Sequence, residues 1–367
     1  MSTFHPLRVT AVDRLTDDAV ALTLAVPPEL RPQYRYTPGQ HIALRRRTGD
    51  AGRSAATEVR RTYSLCAPAD ESPETLRIGI RGVEGGDFSS YAVKELTPGD
   101  TVDVLPPAGR FVLEPRHGHF AAVVGGSGIT PVLSIAATLL AREPGARFCL
   151  VRSDRSTAST MFLEEVADLK DRYPERFHLV TALSREEQQS GLPTGRLDEE
   201  RLTGLLPALL PVPDIDGWYL CGPLGLVEGA SRSLRALGVP RARIHQEIFH
   251  VTEAPDGSGA LASAAAAGGP AEADARAATV TATLDGRSGQ WPMDDGESVL
   301  ETVLRHRADA PFACKGGVCG TCRARLVSGE VRMDRNYALE PEELAAGYVL
   351  ACQSHPVTAG VEVDFDG

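Results

Sequence analysis

The stretch Cys314-Lys-Gly-Gly-Val-Cys319-Gly-Thr-Cys322 places three cysteines within nine residues, and Cys352 follows as a fourth. This C-x4-C-x2-C spacing, with a distant last cysteine, is the plant-type ligand pattern of a [2Fe–2S] cluster. Zinc sites usually pair two C-x2-C halves, and a disulfide set is the remaining alternative. The spacing favours the iron–sulfur cluster and predicts all four cysteines as its ligands.

Glycines within this stretch are expected to shape a loop around the cluster. Gly316, Gly317 and Gly320 can reach positive φ, and they let the backbone approach closely. N–H groups of such a loop can point at the sulfur atoms and tune the cluster.

The region around the loop, residues 278–367, combines short strand patterns with one amphipathic helix. Apolar side chains recur at helical spacing from Val299 to Leu304, which predicts a helix over about Ser298–Arg305. The predicted strands are Ala278–Leu284, Gln290–Met293, Arg323–Ser328, Val331–Met333 and Val361–Phe365.

Residues 251–277 precede this region and consist almost entirely of Ala, Gly, Ser, Asp and Pro, with scarcely any large apolar side chain. Such a segment cannot bury enough apolar surface to offset the entropy of ordering. It is predicted to be a flexible linker.

In residues 116–250, strand patterns alternate with helix patterns. The run Phe120–Val124 leads into a glycine turn, and a helical run from Pro131 to about Arg142 follows. This alternation predicts a parallel sheet with right-handed crossovers. Further strands are predicted at Arg147–Arg152, Phe177–Leu183, Trp218–Cys221 and Ile244–Ile248, and further helices at Thr160–Arg172, Asp198–Leu206 and Leu224–Leu237.

Residues 1–115 have the pattern of an all-β domain. Strand-length runs are separated by Pro-Pro and Pro-Gly pairs, which are turn signals, so an antiparallel barrel is predicted. One short helix fits at Ser89–Glu95, with Ser89 or Ser90 as its N-cap. The predicted strands are Leu7–Val12, Ala19–Val26, His41–Leu44 and Leu76–Arg81.

Composition narrows the class of protein. A length of 367 residues suits two or three domains, and the formal net charge of −11 argues against a nucleic-acid partner. The N-terminus lacks a signal pattern, no apolar run is long enough to span a membrane, and the three cysteines outside the cluster pattern do not resemble a secreted disulfide framework. A cytoplasmic protein is expected.

The negative charge is concentrated around the cysteine loop. Residues 278–367 contain 14 acidic and 8 basic side chains, a formal charge of −6. This surface serves either solubility or the docking of a basic partner.

The sequence Arg61-Thr62-Tyr63-Ser64 lies on a barrel strand and combines three useful side chains. Arginine can grip a pyrophosphate, the tyrosine ring can stack on a flat heterocycle, and the serine hydroxyl can reach a ring nitrogen. The same pattern also fits an ordinary strand with exposed polar residues. A nearby glycine turn before a helix, Gly85–Ser90, is a ready anion site and strengthens the binding interpretation.

Two further turns lie at the predicted carboxyl edge of the parallel sheet, where ligands of such sheets bind. In Gly125–Pro131 the glycines permit close approach, and the helix N-terminus can bind phosphate; Thr130 can cap that helix, and Pro131 suits its first turn. Cys221-Gly222-Pro223 opens a later helix. The alternatives are a plain strand–helix turn and a buried core thiol.

Two places are candidates for contact with the adenosine ribose of a nucleotide. Ser153-Asp154-Arg155-Ser156 follows the second strand of the sheet, and Ser184-Arg185 follows the third. An arginine there can take a 2′-phosphate, whereas the alternative is a charged, solvated loop.

With these motifs in this order, the chain resembles the ferredoxin–NADP reductase superfamily with a C-terminal plant-type ferredoxin domain. The similarity covers nearly the whole chain except the linker, and it is closest over 311–324, 333–344 and 347–354.

The resemblance implies a multidomain architecture. An FAD-binding antiparallel β-barrel is expected over 1–115, and an α/β NAD(P)-binding domain with a parallel sheet over 116–250. The flexible linker over 251–277 then leads to an α+β, β-grasp [2Fe–2S] domain over 278–367.

The resemblance also assigns residues. Those expected to bind FAD are Arg61, Thr62, Tyr63, Ser64, Ile80, Gly86, Phe88, Ser89 and Ser90. Those expected to hold the nicotinamide nucleotide are Gly126, Ser127, Gly128, Thr130, Pro131, Arg155, Ser184, Arg185, Gly222 and Pro223. Those expected to surround the contact between flavin and nicotinamide are Ser64, Thr130, Cys221 and Glu247.

The implied function is electron transfer from NAD(P)H through FAD and the [2Fe–2S] cluster to an external oxygenase, with Ser184-Arg185 favouring NADPH over NADH. By resemblance, the acceptor is a multisubunit di-iron oxygenase acting on phenylacetyl-CoA. A Rieske-type oxygenase, such as a ketosteroid hydroxylase, is the alternative acceptor. An iron–sulfur redox sensor is the alternative of another class, although a sensor has no need of hydride chemistry.

Overall fold

The computed structural model describes residues 3–48, 57–187, 194–250, 278–307 and 309–367. The chain forms two compact units, one holding the described residues up to 250 and the other those from 278. The predicted linker, 251–277, lies outside the described residues. Among the helices of the described ranges, none is both apolar enough and long enough to cross a membrane.

The first part of the first unit is an antiparallel sheet, which confirms the predicted barrel domain. The order of its described strands is β4-β3-β6-β1-β2-β5. Leu65, just after β4, bridges Ile78 of β5, so the two outer strands approach and the sheet curves towards closure. The strands are β1 (His5–Thr16), β2 (Ala19–Ala25), β3 (His41–Thr48), β4 (Thr57–Ser64), β5 (Thr75–Arg81) and β6 (Thr101–Val104), with helix α1 (Asp87–Lys94) after β5.

Alternation along the strands builds the barrel core. Leu7 and Val9 of β1 are fully buried, whereas Arg8 and Thr10 between and beyond them are exposed. Successive side chains of a strand point to opposite faces, so one face of β1 fills the interior.

Helix α1 begins earlier than predicted. Its N-cap is Gly86 rather than Ser89 or Ser90. The hydroxyl of Ser89 instead accepts a hydrogen bond from the N–H of Val83 at 3.0 Å and closes the preceding turn. Asp87 takes the first helical position, where a negative charge is favoured by the helix dipole.

The second part of the first unit is the predicted α/β domain. Its described strands are all parallel, in the order β11-β10-β7-β8-β9. The strands are β7 (His119–Gly125), β8 (Arg147–Asp154), β9 (Phe177–Leu183), β10 (Gly217–Pro223) and β11 (Ile244–His250), and the helices are α2 (Ile129–Arg142), α3 (Leu163–Arg172), α4 (Glu199–Leu209) and α5 (Leu224–Ala236).

A continuous apolar core joins the barrel to the α/β domain. Ala19, Cys66 and Phe111 of the barrel side pack in one cluster with residues of β7 and α2. Gly79 of β5 allows the closest approach, because a side chain there would come within 2.7 Å of Phe162 and Thr130. The two domains therefore hold their facing edges in fixed relation.

The second unit has the mixed sheet of a β-grasp fold. The order of its described strands is β13-β12-β18-β14-β16, with β12 and β18 parallel and the other neighbours antiparallel. The elements are β12 (Thr279–Leu284), β13 (Arg287–Pro292), α6 (Val299–His306), β14 (Arg323–Ser328), β15 (Val331–Met333), α7 (Pro341–Ala345), β16 (Tyr348–Leu350), β17 (Ser354–Pro356) and β18 (Gly360–Asp364).

Helix α6 packs its apolar side chains into this sheet, as predicted. Val299, Leu300 and Val303 are fully buried. Ser298 and Glu301 form a capping box at the helix start, in which each side chain bonds the other residue's backbone N–H. The sequence prediction did not include α7, β16 and β17, which are too short for periodicity to reveal.

Candidate flavin, nucleotide and cluster sites

Three of the four residues predicted at the reacting centre meet where the barrel adjoins the parallel sheet. The hydroxyl of Ser64 donates to Oε2 of Glu247 at 3.3 Å, and Sγ of Cys221 lies 3.9 Å from the same oxygen. Cys221 stands opposite Glu247 in the β10–β11 ladder. The carboxylate of Glu247 thus links a barrel strand to the carboxyl edge of the sheet.

Cys221 is a neutral thiol in this setting. It is fully buried, and burial together with the charge of Glu247 raises the pKa of the Cys221 thiol well above its usual value. The thiol of Cys221 can therefore donate a hydrogen bond to Glu247.

Thr130 takes a different place from the other three. Its hydroxyl donates to the carbonyl of Ser127 at 2.9 Å and so stabilises the glycine turn. It is not the N-cap of α2, because the helix begins at Ile129 with Gly128 as the N-cap.

The residues predicted to bind FAD lie on β4, β5 and α1. Tyr63 packs on Phe88 with ring centroids 5.6 Å apart, and burial raises the pKa of the Tyr63 phenol. Arg61 is exposed, and Thr62, Gly86 and Ser90 are partly exposed. These groups fit a flat ring system with an anionic tail.

Three of the residues predicted to contact FAD have buried side chains. Ile80 is fully buried in the barrel core and Phe88 is 1% exposed, so their side chains face away from solvent. Ser89 is also buried, with its hydroxyl engaged by Val83.

The glycine turn after β7 brings its backbone close to a cationic side chain. Gly126 has φ +55, and a side chain built on it would meet Arg81 at 3.0 Å. Arg81 was missed by the sequence analysis, although it directly follows Ile80 on β5. It places a cation over the N-terminus of α2, where an anion is favoured.

The turn at Cys221-Gly222-Pro223, where β10 ends and α5 begins, lies against this glycine turn. Gly222 has φ +144, and a side chain there would come within 2.9 Å of the backbone of Gly125. Pro223, which precedes α5, is exposed. The two turns therefore form one surface at the carboxyl edge of the sheet, and Pro131 is buried behind it.

The two candidate ribose sites are brought together. The N–H of Ser184 bonds the carbonyl of Asp154 at 2.9 Å, and the N–H of Arg185 bonds the carbonyl of Arg155 at 2.8 Å. Arg185 is exposed and Arg155 is half exposed. A pair of cations at neighbouring strand ends suits a phosphate.

Asp18 of the barrel contacts one arginine of the ribose region and one beside the glycine turn, and the sequence analysis did not identify it. Its carboxylate accepts from Thr16 at 2.7 Å and from Arg155 at 3.1 Å, and it lies 3.3 Å from Arg81. Burial opposes ionisation of Asp18, but the Thr16 hydrogen bond and the two arginines outweigh it and lower its pKa.

Because the pKa of Asp18 is lower when folded, its charge stabilises the fold above the unfolded value of about 3.9, and that stability is lost as pH falls through the folded pKa. We expect Asp18→Asn to lower the free energy of unfolding by up to about 1 kcal/mol at pH 7, because the group is partly exposed. The loss should vanish in strong acid. Urea unfolding at pH 7 and in strong acid measures the change in the free energy of unfolding. Asp17→Asn, at the neighbouring exposed position, is the control. An equal loss in both variants would contradict the prediction.

The four cysteines of the second unit are arranged as two adjacent pairs. Hydrogen bonding from Cys319 and then from backbone N–H groups lowers the pKa of Cys314 to about 5, and hydrogen bonding from Cys322 lowers that of Cys352. The N–H of Gly316 points at Sγ of Cys314, 3.3 Å away. Two thiol pairs among N–H donors fit a two-iron cluster.

The loop backbone departs from the prediction at one position. Gly317 and Gly320 have positive φ, as expected, but Lys315 takes the left-handed conformation instead of Gly316. Gly317 is the most constrained, because a side chain there would meet the carbonyl of Arg335 at 3.0 Å and Gln353 at 3.1 Å.

Comparison with known proteins decides the family. Residues 6–113 match the oxidoreductase FAD-binding domain, 123–232 the oxidoreductase NAD-binding domain, and 282–357 the 2Fe-2S iron-sulfur cluster binding domain. The chain is 41% identical to a subunit of the 1,2-phenylacetyl-CoA epoxidase of Escherichia coli (strain K12), over 100% of this chain and 99% of that one. It belongs to the ferredoxin–NADP reductase superfamily.

Two further proteins match the chain over nearly its full length. The ferredoxin reductase component of 3-ketosteroid-9-alpha-monooxygenase of Rhodococcus rhodochrous is 32% identical over 98% of this chain and 96% of its own. The crystal structure of phthalate dioxygenase reductase has the same fold, with a TM-score of 0.60, 23% identity and coverage of 99% and 98% of the two chains. As a ferredoxin reductase of this type, the chain takes FAD, a nicotinamide nucleotide and a [2Fe–2S] cluster.

Proposed function

We propose that the chain is the reductase component of an oxygenase and supplies it with electrons from NAD(P)H. The observation that carries this is the Ser64–Glu247–Cys221 group, which closes the flavin barrel onto the nucleotide edge of the sheet. FAD, held by the residues of β4 and α1, would supply the conversion between the two-electron hydride chemistry of a nicotinamide and the one-electron chemistry of a [2Fe–2S] cluster.

The chain's own residues prepare this transfer. Glu247 accepts a hydrogen bond from Ser64 of the barrel and lies close to the thiol of Cys221 in the sheet, so it links the two domains. The turns at Gly126 and Gly222 would place their backbone near the nucleotide, with Arg81 as a nearby cation. The cysteine loop holds the cluster through Cys314, Cys319, Cys322 and Cys352. Tyr63 and its neighbours on β4 hold the flavin.

The proposed domain boundaries assign one range of residues to each cofactor. We assign 1–115 to flavin, 116–250 to the nucleotide and 278–367 to the cluster, with 251–277 as linker. The three cysteines outside the cluster pattern, Cys66, Cys149 and Cys221, are buried free thiols, which is typical of a reducing compartment, so we place the protein in the cytoplasm.

The specific acceptor we propose is the multisubunit di-iron oxygenase that epoxidises phenylacetyl-CoA. The support is the 41% identity to the phenylacetyl-CoA epoxidase subunit over the full chain, against 32% to the 3-ketosteroid monooxygenase component.

Reconstitution tests this proposal. The purified reductase should support NAD(P)H-dependent oxygenation of phenylacetyl-CoA by the di-iron oxygenase subunits. With a Rieske-type ketosteroid oxygenase in their place, we expect turnover to be far slower. Faster turnover with the Rieske enzyme would assign the chain to the other oxygenase class, and failure to reduce cytochrome c with either nucleotide would overturn the reductase function.

The paired arginines predict a preference for NADPH. Arg185→Ala should raise the KM for NADPH roughly tenfold or more, because a charge-assisted hydrogen bond to the 2′-phosphate is lost, and it should leave the KM for NADH unchanged. Steady-state reduction of cytochrome c measures both constants. Arg172→Ala is the matched control, since it removes an exposed arginine from the C-terminal end of α3. Equal changes for both nucleotides would contradict the assignment.

A further inference from the structure

We propose that His41 is a positioning residue for Glu247 at the contact between flavin and nicotinamide. This inference rests on the proposed reductase function. The sequence motifs gave His41 no role, because it lies on β3, away from the Arg61–Ser64 pattern.

Strand register brings His41 to the site. It stands directly opposite Ser64 in the antiparallel β3–β4 ladder, so the two side chains share one face of the barrel. Glu247 stands opposite Cys221 in the parallel β10–β11 ladder. The site is therefore built from two cross-strand pairs, one from each domain.

The two oxygens of Glu247 serve the two sides of this arrangement. Nδ1 of His41 lies 3.8 Å from Oε1, whereas Ser64 and Cys221 lie near Oε2. The side chain of His41 is 8% exposed and that of Glu247 15%. In this proposal the imidazole proton is on Nδ1, and the contact with Oε1 restrains rotation of the carboxylate, which keeps Oε2 directed at the other two groups.

The backbone at Gly109 lies against the imidazole ring of His41. Gly109 has φ +113, and a side chain on it would lie 2.8 Å from Nδ1 of His41. The N–H of His41 also bonds the carbonyl of Ala108 at 2.9 Å, and the N–H of Ala108 bonds the carbonyl of His41 at the same distance. Gly109 therefore lies against the ring, and the two bonds with Ala108 fix the backbone that carries it beside Glu247.

Rapid-mixing reduction of the FAD-loaded, full-length protein by NADPH tests the role. His41→Leu should lower the limiting rate of flavin reduction roughly tenfold to a hundredfold, because a misplaced group near the reacting atoms costs of that order. The apparent Kd for the nucleotide should change less than about twofold. His41→Asn keeps an N–H near the position of Nδ1 and should recover most of the rate. If His41→Leu does not fold, His41→Gln, which keeps an amide but displaces its N–H, takes its place.

The double variant shows whether His41 acts through Glu247. In a Glu247→Gln background, His41→Leu should produce no further loss of rate. Additive losses would overturn the proposal, and so would an unchanged rate in His41→Leu alone. Equal losses in the Leu and Asn variants, with normal flavin content and thermal midpoint, would also overturn it.

Infrared spectroscopy of the resting protein gives a readout that does not depend on turnover. The carboxylate band of Glu247, identified by its loss in Glu247→Gln, should shift in His41→Leu and return in His41→Asn. An unmoved band would overturn the inference. If the wild-type flavin is reduced by neither nucleotide while the band does shift, the reductase function fails and the His41–Glu247 contact stands.

Discussion

Replacement of Cys319 by serine is expected to leave flavin reduction by NAD(P)H fast and to abolish electron delivery to the oxygenase. The cysteines form two pairs in the second unit, and the change removes one of four thiolates required by a plant-type cluster. All flavin and nucleotide residues named above lie in the first unit. The first reaction therefore keeps its complete site.

Stopped-flow absorbance at the flavin band, followed by oxygenase turnover, separates the two steps. In Cys319→Ser the visible and electron paramagnetic resonance signals of the cluster should be lost together with oxygenase turnover, while flavin reduction stays fast. Cys149→Ala is the control, since it deletes a buried thiol of the nucleotide domain that is not a cluster ligand. If flavin reduction also failed in folded Cys319→Ser, the linear route from flavin to cluster would be wrong.

The second large effect is expected at Gly128. Its φ of −62 suits any residue, so only space forbids a side chain. A methyl group there would overlap the carbonyl of Cys221 and lie 2.8 Å from the backbone nitrogen of Gly222. Because both obstacles are backbone atoms, Gly128→Ala must separate the two turns that form the nucleotide edge.

We expect Gly128→Ala to cost about 1–3 kcal/mol of unfolding free energy, as overpacking does, and to slow flavin reduction at all nucleotide concentrations. Chemical denaturation and rapid mixing measure the two effects. Gly204→Ala is the matched control: Gly204 lies inside α4 with open space around it. That change should stabilise the protein by about 0.5–1 kcal/mol. Wild-type stability and rate in Gly128→Ala would show that the turns can separate freely.

The fold could be predicted from the sequence because the three regions differ in the spacing of their apolar residues and in the order of their strands and helices. Alternation at Leu7 and Val9 marks the barrel, and the strand–helix repeat after Phe120 marks the parallel sheet. Neither signal depends on distant contacts. Helix boundaries were less secure. Ser89 has the character of an N-cap, but its hydroxyl is drawn to the N–H of Val83, a contact that exists only once the turn has closed.

Residue patterns revealed the candidate site only where its chemistry sits in a compact motif, and Glu247 was assigned by the resemblance alone. Ser64 and Cys221 belong to such motifs, whereas His41, Arg81 and Asp18 are single residues within ordinary strands or turns. Their importance comes from strand register and from packing between domains, as in the contact of Asp18 with Arg155, 137 positions away. No local pattern carries that information.

The place of β18 in the second sheet has a consequence for biosynthesis. This strand, Gly360–Asp364, lies between β12 and β14, and Val361 and Val363 are buried in the core. All four cluster cysteines are translated before it. The sheet that supports them therefore cannot close until β18 has left the ribosome. We expect assembly of the cluster to follow the emergence of β18, so that a ribosome stalled with β18 still in its exit tunnel would hold a nascent chain with a folded flavin barrel and an unmetallated cysteine loop.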